Sequence, residues 1–209
     1  KCGLTSTDGL KVLEVMSNHV RSNTAAREAG LLLLTSCIKT FGRAMEPYAV
    51  DLLPTMMQLF GDRSPVVRDL VSKLVVSIGD MLSARSFRLF FKDIVAALEN
   101  DDWRIRVGGL NLLERVAPRM PLHVSPMLPV IIPLATECII STKKQVQNAG
   151  ISALAKACAS ISNQDIAPLV PKLVSVIGNP DEIVAALDKL LETVFVVTVD
   201  APTLSLIAP

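Results

Sequence analysis

Five stretches of the chain place apolar residues in one recurring pattern behind a polar, turn-like start. They are TAAREAGLLLL (24–34), SPVVRDLVSKLV (64–75), DDWRIRVGGLNLL (101–113), KKQVQNAGISAL (143–154) and DEIVAALDKLL (181–191). Their first apolar residues are Ala26, Val67, Ile105, Val146 and Ile183. Counting 3, 4, 7 and 8 residues onward from each meets apolar or small side chains every time. In the second copy these are Leu70, Val71, Leu74 and Val75; in the fifth they are Ala186, Leu187, Leu190 and Leu191. Such spacing lines one face of an α-helix.

The residues directly after those apolar positions are Arg27, Arg68, Arg106, Gln147 and Val184, spaced 41, 38, 41 and 37 apart. A period of about 40 is the length of a HEAT-type unit, two antiparallel helices per repeat. The segments before the copies agree. EPYAVDLLPTMMQLFGD (46–62) and SPMLPVIIPLATECI (125–139) each carry a proline and another seven residues later, Pro47 with Pro54 and Pro126 with Pro133. IAPLVPKLVSVIGNPD (166–181) repeats the theme with Pro168 and Pro171. Pro47 and Pro126 suit a first helical turn, where the missing N–H has no partner to lose. Pro54, Pro133 and Pro171 are expected further in, where a proline removes a hydrogen bond and kinks the helix. Ser64-Pro65 and Ser125-Pro126 read as N-cap and first-turn proline pairs. Gly61-Asp62, Asn100-Asp101-Asp102 and Gly178-Asn179-Pro180 supply the turns between paired helices.

The expected fold is therefore all-α: a HEAT-repeat α-solenoid of five antiparallel helix pairs and the start of a sixth. The pairs span about 8–42, 46–84, 86–119, 124–163 and 165–199, with the partial unit at 200–209, all in one domain. No pair can bury its apolar face alone, so stacking supplies the core. One stretch conflicts locally. Val194–Val199 is rich in β-branched residues and reads as a strand, whereas the register makes it the end of the fifth second helix. Asp200 then caps the next helix, whose Leu204, Leu206 and Ile207 are expected to lack a stacking partner. The chain does not begin with Met, and it reads as a fragment of a longer protein.

Composition changes little. Half of the 209 residues are hydrophobic and 20% are charged, far from the profile of a disordered chain. The net charge of +1 argues neither for nor against a nucleic-acid partner. Leu31–Leu34, Met127–Ala135 and Val194–Val199 fall short of the roughly 18–20 residues that cross a bilayer, so no membrane span is expected. Cys2, Cys37, Cys138 and Cys158 have no C-x-x-C spacing and are expected as buried free thiols of a reducing compartment.

Catalytic chemistry finds little support. There is no phosphate-binding G-x-x-x-x-G-K-[ST] loop, and His19 and His123 stand far apart with no metal-ligand cluster around them. No catalytic residue, cofactor or metal site is expected. Asp101-Asp102 reads as an inter-helix cap rather than a carboxylate pair. Arg27, Arg68 and Arg106 are expected to bond the Asp-containing turns of neighbouring repeats. Three basic groups are better candidates for a partner: Arg85, Arg88 and Lys92; Arg104 beside Trp103; and Lys143-Lys144. The lysine pair opens a helix, where the dipole disfavours cations. Trp103 is either a lid over the seam between repeats or an exposed stacking platform.

Particular words carry a family likeness. FGRAMEPYAVDLLP (41–54), LENDDWRIR (98–106), TKKQVQNAGISAL (142–154), NQDIAPLVPKLV (163–174) and LDKLLETVFVVTVDAPTLSLIAP (187–209) occur in that order. Together they resemble the HEAT region shared by translation elongation factor 3 and the general-control translational activator. The resemblance implies a non-catalytic, cytoplasmic scaffold that contacts the ribosome, meaning ribosomal RNA and small-subunit proteins. It also implies that ATP-binding cassettes, in the same chain or a partner protein, do the nucleotide chemistry. No small-molecule substrate is implied. The contact is assigned to Lys143, Lys144, Arg85, Arg88 and Arg104, a small basic set with modest, salt-sensitive affinity. The alternative is a generic protein-binding solenoid that takes a peptide or helix on its concave face.

Overall fold

A computed structural model of the chain describes residues 14–15, 17–192 and 198–208, and every regular element among them is helical. The principal helices are α1 (Thr24–Phe41), α2 (Glu46–Leu59), α3 (Pro65–Met81), α4 (Phe87–Leu98), α5 (Trp103–Val116) and α6 (Pro121–Val124). They continue with α7 (Leu128–Ile139), α8 (Lys144–Cys158), α9 (Val170–Gly178), α10 (Ile183–Leu191) and α11 (Ala201–Ile207). The five sequence copies are α1, α3, α5, α8 and α10, so the register read from the apolar stripes is the register of the second helices.

Local chemistry explains where these helices start. Asn23 Oδ1 accepts from Ala26 N at 3.0 Å, Ser64 Oγ from Val67 N at 3.4 Å, and Asp102 Oδ1 from Arg104 N at 2.9 Å. Asp200 Oδ1 accepts from Thr203 N at 3.1 Å, the cap expected of it. Each bond satisfies one of the N–H groups a helix start leaves open. α1 ends at Gly42, whose φ of 53° lies in the left-handed region that only glycine adopts without steric penalty.

The chain divides into two compact units, one ending at Asp93 and one beginning at Ile94, inside α4. In the first unit α3 packs against both α1 and α2. Val67, Val71, Leu74 and Ile78 of α3 are fully buried, and so are Leu31 and Leu34 of α1. In the second unit α8 packs against α5, α7 and α9. Val146, Ala153 and Leu154 of α8 are fully buried there, with Leu110 and Leu113 of α5. Hydrogen bonds between successive repeats sit at the period of the sequence. Arg27 Nη1 meets Asp62 Oδ2 at 2.5 Å, and Ser152 Oγ donates to Glu114 Oε1 at 2.6 Å.

Several details differ from the sequence reading. Pro54 and Pro133 do lie inside α2 and α7. Pro171, however, occupies the first turn of α9, because residues 164–169 form turns rather than helix. There its missing N–H breaks nothing. Ser125 does not cap a helix: Ser125–Met127 is a 3-10 turn without a side-chain cap, and α7 starts at Leu128. The fifth second helix ends at Leu191, and Thr198 and Val199 are not helical; residues 193–197 lie outside the described residues. Nor does α11 lack a partner. It packs on α7, burying Thr203 and Leu206, while Ile207 is half-buried and Leu204 stays exposed as expected.

By length and composition alone Pro121–Ile139, with a mean hydropathy of 1.5, is long and apolar enough to cross a membrane. That stretch is interrupted by the 3-10 turn, and Leu128, Ile131, Ile132 and Ala135 are fully buried in the second unit, as in a core helix. Cys37, Cys138 and Cys158 are buried free thiols; Cys2 lies outside the described residues. Burial pushes all three thiols up, Cys158 to about 12, which leaves them as inert packing groups.

Candidate interaction surfaces

In the first unit the repeat bonds converge on Glu46, the first residue of α2. Its Oε1 accepts from Ser83 N and from Ser83 Oγ, each at 2.7 Å, and from the Ser86 hydroxyl. These donors lie 37 and 40 residues on, one repeat away. Burial alone would raise the Glu46 carboxyl; the bonds from Ser86 and Ser83 and the charge of Arg43 outweigh it and hold it below its ordinary value. The folded form therefore favours ionised Glu46. Its stabilisation is complete above the unfolded value, about 4.3, and fades as the pH falls through the lower folded value. Glu46→Ala should lose about 2 kcal/mol at pH 7, since it leaves hydroxyl and amide donors unpaired. Urea denaturation at pH 7 and pH 3 checks this, and the gap between variant and parent should shrink at pH 3. An equal gap at both pH values would show that the carboxylate charge plays no part.

Beside Glu46 lies an open groove of roughly 410 Å³, lined by Arg43, Asp51, Arg85 and the exposed Leu89 among others. Arg85 is exposed in the 3-10 turn before α4, and Arg88 and Lys92 are exposed on α4 itself. These three basic residues thus share one helix start, as their spacing suggested. Sequence reasoning missed Arg43 and the Glu46 network. The recurrence of Glu46, Ser83 and Ser86 at the repeat spacing was the only available signal.

The second unit presents the other candidates at helix starts. Asp102 caps α5, and Arg104 lies over the Trp103 ring with its guanidinium carbon 4.6 Å from the centroid. Its Nη1 is 3.9 Å from Asp102 Oδ1, a weak and solvated pair. Trp103 is half-buried and its face is occupied by Arg104, so the indole is neither a fully buried lid nor a bare platform. One repeat on, Lys143 is the N-cap of α8 and Lys144 its first residue, both exposed. No side chain caps α8, and its first turn holds no acidic residue. The Ser152–Glu114 bond joins α5, which opens with Trp103 and Arg104, to α8, which opens after Lys143, and the two helices pack against each other in the second unit. Among the described residues, Lys143, Lys144, Arg85 and Arg88 take part in no ion pair.

Of the residues that follow the first apolar positions, Arg27, Arg68 and Gln147 each bond a turn. Arg68 Nη1 donates to Asp62 O at 2.6 Å and to Arg63 O at 3.0 Å, pinning its own turn. Two copies on, Gln147 Nε2 repeats that bond, to Ser141 O at 2.6 Å, again six residues back. Arg27 instead reaches the next turn at Asp62. The Nε atoms of Arg27 and Arg106 are both buried without a hydrogen-bond partner. His19 and His123 are both exposed, and neither lines a groove described here. His19 Nδ1 donates to Val15 O at 2.7 Å.

Helix pairs in a period near 40, stacked through their second helices, define the HEAT-repeat α-solenoid class. The comparisons specify the family: residues 3–154 match EF3 N-terminal HEAT repeat, and the chain belongs to that family. It is 33% identical over 210 residues to the "Stalled ribosome sensor GCN1" of Mus musculus, covering 99% of this chain and 8% of that protein. It is 29% identical to "Elongation factor 3" of Phytophthora infestans over 212 residues, covering 99% of this chain and 20% of that protein. The chain thus spans a small part of the length of these relatives. A solved structure from "Structural Basis of Microtubule Plus End Tracking by XMAP215, CLIP-170 and EB1" shares the fold, with a TM-score of 0.66 at 14% identity. That match covers 93% of this chain and 79% of the other. The chain is a HEAT-repeat segment of the scaffold type found in elongation factor 3 and GCN1-like translation factors.

Proposed function

We propose that the chain is a non-catalytic, ribosome-binding scaffold segment acting in the cytoplasm. It touches ribosomal RNA or small-subunit proteins through Lys143, Lys144 and Arg104, with Arg85 and Arg88 as a second contact. Nucleotide chemistry belongs to an ATP-binding cassette elsewhere in the same chain or in a partner protein. The names of the relatives, a ribosome sensor and an elongation factor, support the ribosome as partner. The observation that carries the site is the start of α8, where two exposed lysines stand at an uncapped positive helix end. Each such placement costs about 0.3–1 kcal/mol, which a bound anion recovers.

Co-sedimentation with ribosomes in a salt series tests both parts. The parent chain should pellet at low salt and release steeply as salt rises. Reversing both charges, Lys143→Glu with Lys144→Glu, should weaken binding about tenfold and flatten the salt dependence by roughly 1.4–1.8 in log–log slope. No co-sedimentation at low salt would overturn the function. Parent-like binding by the variant would overturn the site alone.

A further inference from the structure

The open groove of roughly 410 Å³ beside Glu46 lies wholly inside the first unit, at the starts of α2 and α4. Its volume is within the roughly 300–1,000 Å³ of ligand pockets, so it admits a few side chains rather than a folded face. Arg43, in the 3-10 turn before α2, and Arg85, in the 3-10 turn before α4, both line it and are both exposed. Neither takes part in an ion pair among the described residues. Glu46 lines the groove too, but its Oε1 already accepts from Ser83 N, Ser83 Oγ and Ser86 Oγ. Two guanidinium groups are thus left with their donors open to whatever enters.

The rest of the lining narrows the occupant. Pro47 on α2 and Leu89 on α4 offer exposed apolar surface, Leu89 at 61% although its neighbour Phe90 is fully buried. None of the residues lining the groove is aromatic, so a nucleobase finds no ring to stack on. Glu46, held ionised, and the exposed Asp51 would repel a run of phosphates. A peptide suits the same lining. Its carboxylate side chains can pair with the guanidinium groups, an aliphatic side chain can cover Pro47 and Leu89, and its backbone N–H groups can donate to Asp51.

We propose that this groove is a docking site for an acidic peptide segment, one in which Asp or Glu side chains flank an aliphatic residue. Arg43 and Arg85 pair with the carboxylates, and Leu89 packs on the aliphatic side chain. Arg88 and Lys92, exposed on the same helix as Leu89, add attraction at longer range. The inference rests on the second contact proposed above in taking Arg85 as a contact residue, and it makes the partner there a protein segment rather than RNA.

Fluorescence anisotropy of the whole chain with a labelled peptide, SDELLEDS, tests this at low salt. The neutral peptide SNQLLQNS should bind about tenfold more weakly. Arg43→Gln with Arg85→Gln should weaken the acidic peptide about tenfold, and Leu89→Ser about threefold. Lys39→Gln with Arg63→Gln removes the same charge from exposed residues outside the groove and should leave binding within about twofold. An octamer of uridylate should bind about tenfold more weakly than the acidic peptide and should not respond to the Arg43 and Arg85 changes. No binding of the acidic peptide, or equal losses in the two paired variants, would overturn the proposal. Uridylate binding that matches the peptide's and depends on Arg43 and Arg85 would overturn it too, and would make the groove an RNA contact. Co-sedimentation keeps the two readings apart. A chain that pellets with ribosomes but ignores the peptide retains the proposed function and loses this site, whereas peptide binding without pelleting retains the site alone.

Discussion

Replacing Phe90 by Ala should lower the unfolding free energy by about 4 kcal/mol, among the largest losses expected of a single truncation in the first unit. Phe87, Phe90, Phe91 and Ile94 recur at the spacing of one helical face in FRLFFKDI. Phe87 and Phe90 are 1% and 0% exposed. Their rings meet edge to face at 5.5 Å between centroids, and Phe91 stacks on Phe87 at 5.3 Å. Truncating Phe90 therefore removes a whole buried ring and one partner of an edge-to-face pair, and it leaves a cavity in a close-packed interior. Phe91 is only half-buried, so Phe91→Ala should cost clearly less, about 1–2 kcal/mol. Urea denaturation of both variants checks the order as well as the size. A Phe90→Ala loss below about 1.5 kcal/mol would mean that the cluster collapses around the gap, or that its rings are not packed as described.

How much of this was legible in the sequence depends on whether a feature lives on one helix or between two. The apolar stripes fixed α1, α3, α5, α8 and α10 to within a few residues, because a 3.6-residue period is a property of one segment. The caps at Ser64, Asp102 and Asp200 were readable for the same reason: donor and acceptor lie three residues apart or fewer. Pro171 was misplaced because a proline marks either an interior kink or a first turn, and only the turns at 164–169 decide between them. The partner of α11 was missed because register places a sixth first helix beside the fifth, whereas α11 packs mainly on α7. Of the candidate surface, the exposed lysines at the start of α8 could be read from charge and position alone. That α5, which carries Arg104, packs against α8 could not, since it is a contact between two helices. The Glu46 network was hidden for the same reason, being a contact between side chains one repeat apart.

The glycine at the close crossing gives the second large effect. Gly109→Val should destabilise the second unit by about 3 kcal/mol, and Gly109→Ala by about 1. Gly109 is buried in α5, and a Cβ there would lie 2.8 Å from Ala97 Cβ on α4, with the Ile94 carbonyl oxygen at 3.6 Å. Ala97 Cβ is held rigidly by its backbone and has no flexible end that can swing away, so the two helices must separate. Helix propensity acts in the opposite direction: Ala at an interior helical position gains about 1 kcal/mol over Gly. A loss for Gly109→Ala thus means that the packing term exceeds the propensity term by a factor of about two. Gly150 offers the contrast. There the nearest atom is Ile139 Cγ1 at 2.9 Å, which a rotamer change can move, and the Ala135 and Ile139 backbone atoms stand off at 3.4 Å. Gly150→Ala should therefore be near neutral, within about 0.5 kcal/mol, as relief by Ile139 lets the propensity gain show. Thermal or urea unfolding of the three variants measures the difference. Equal losses at Gly109 and Gly150 would mean that the α4–α5 crossing is no more rigid than the α7–α8 crossing, and would remove the close-approach account of why this position is glycine.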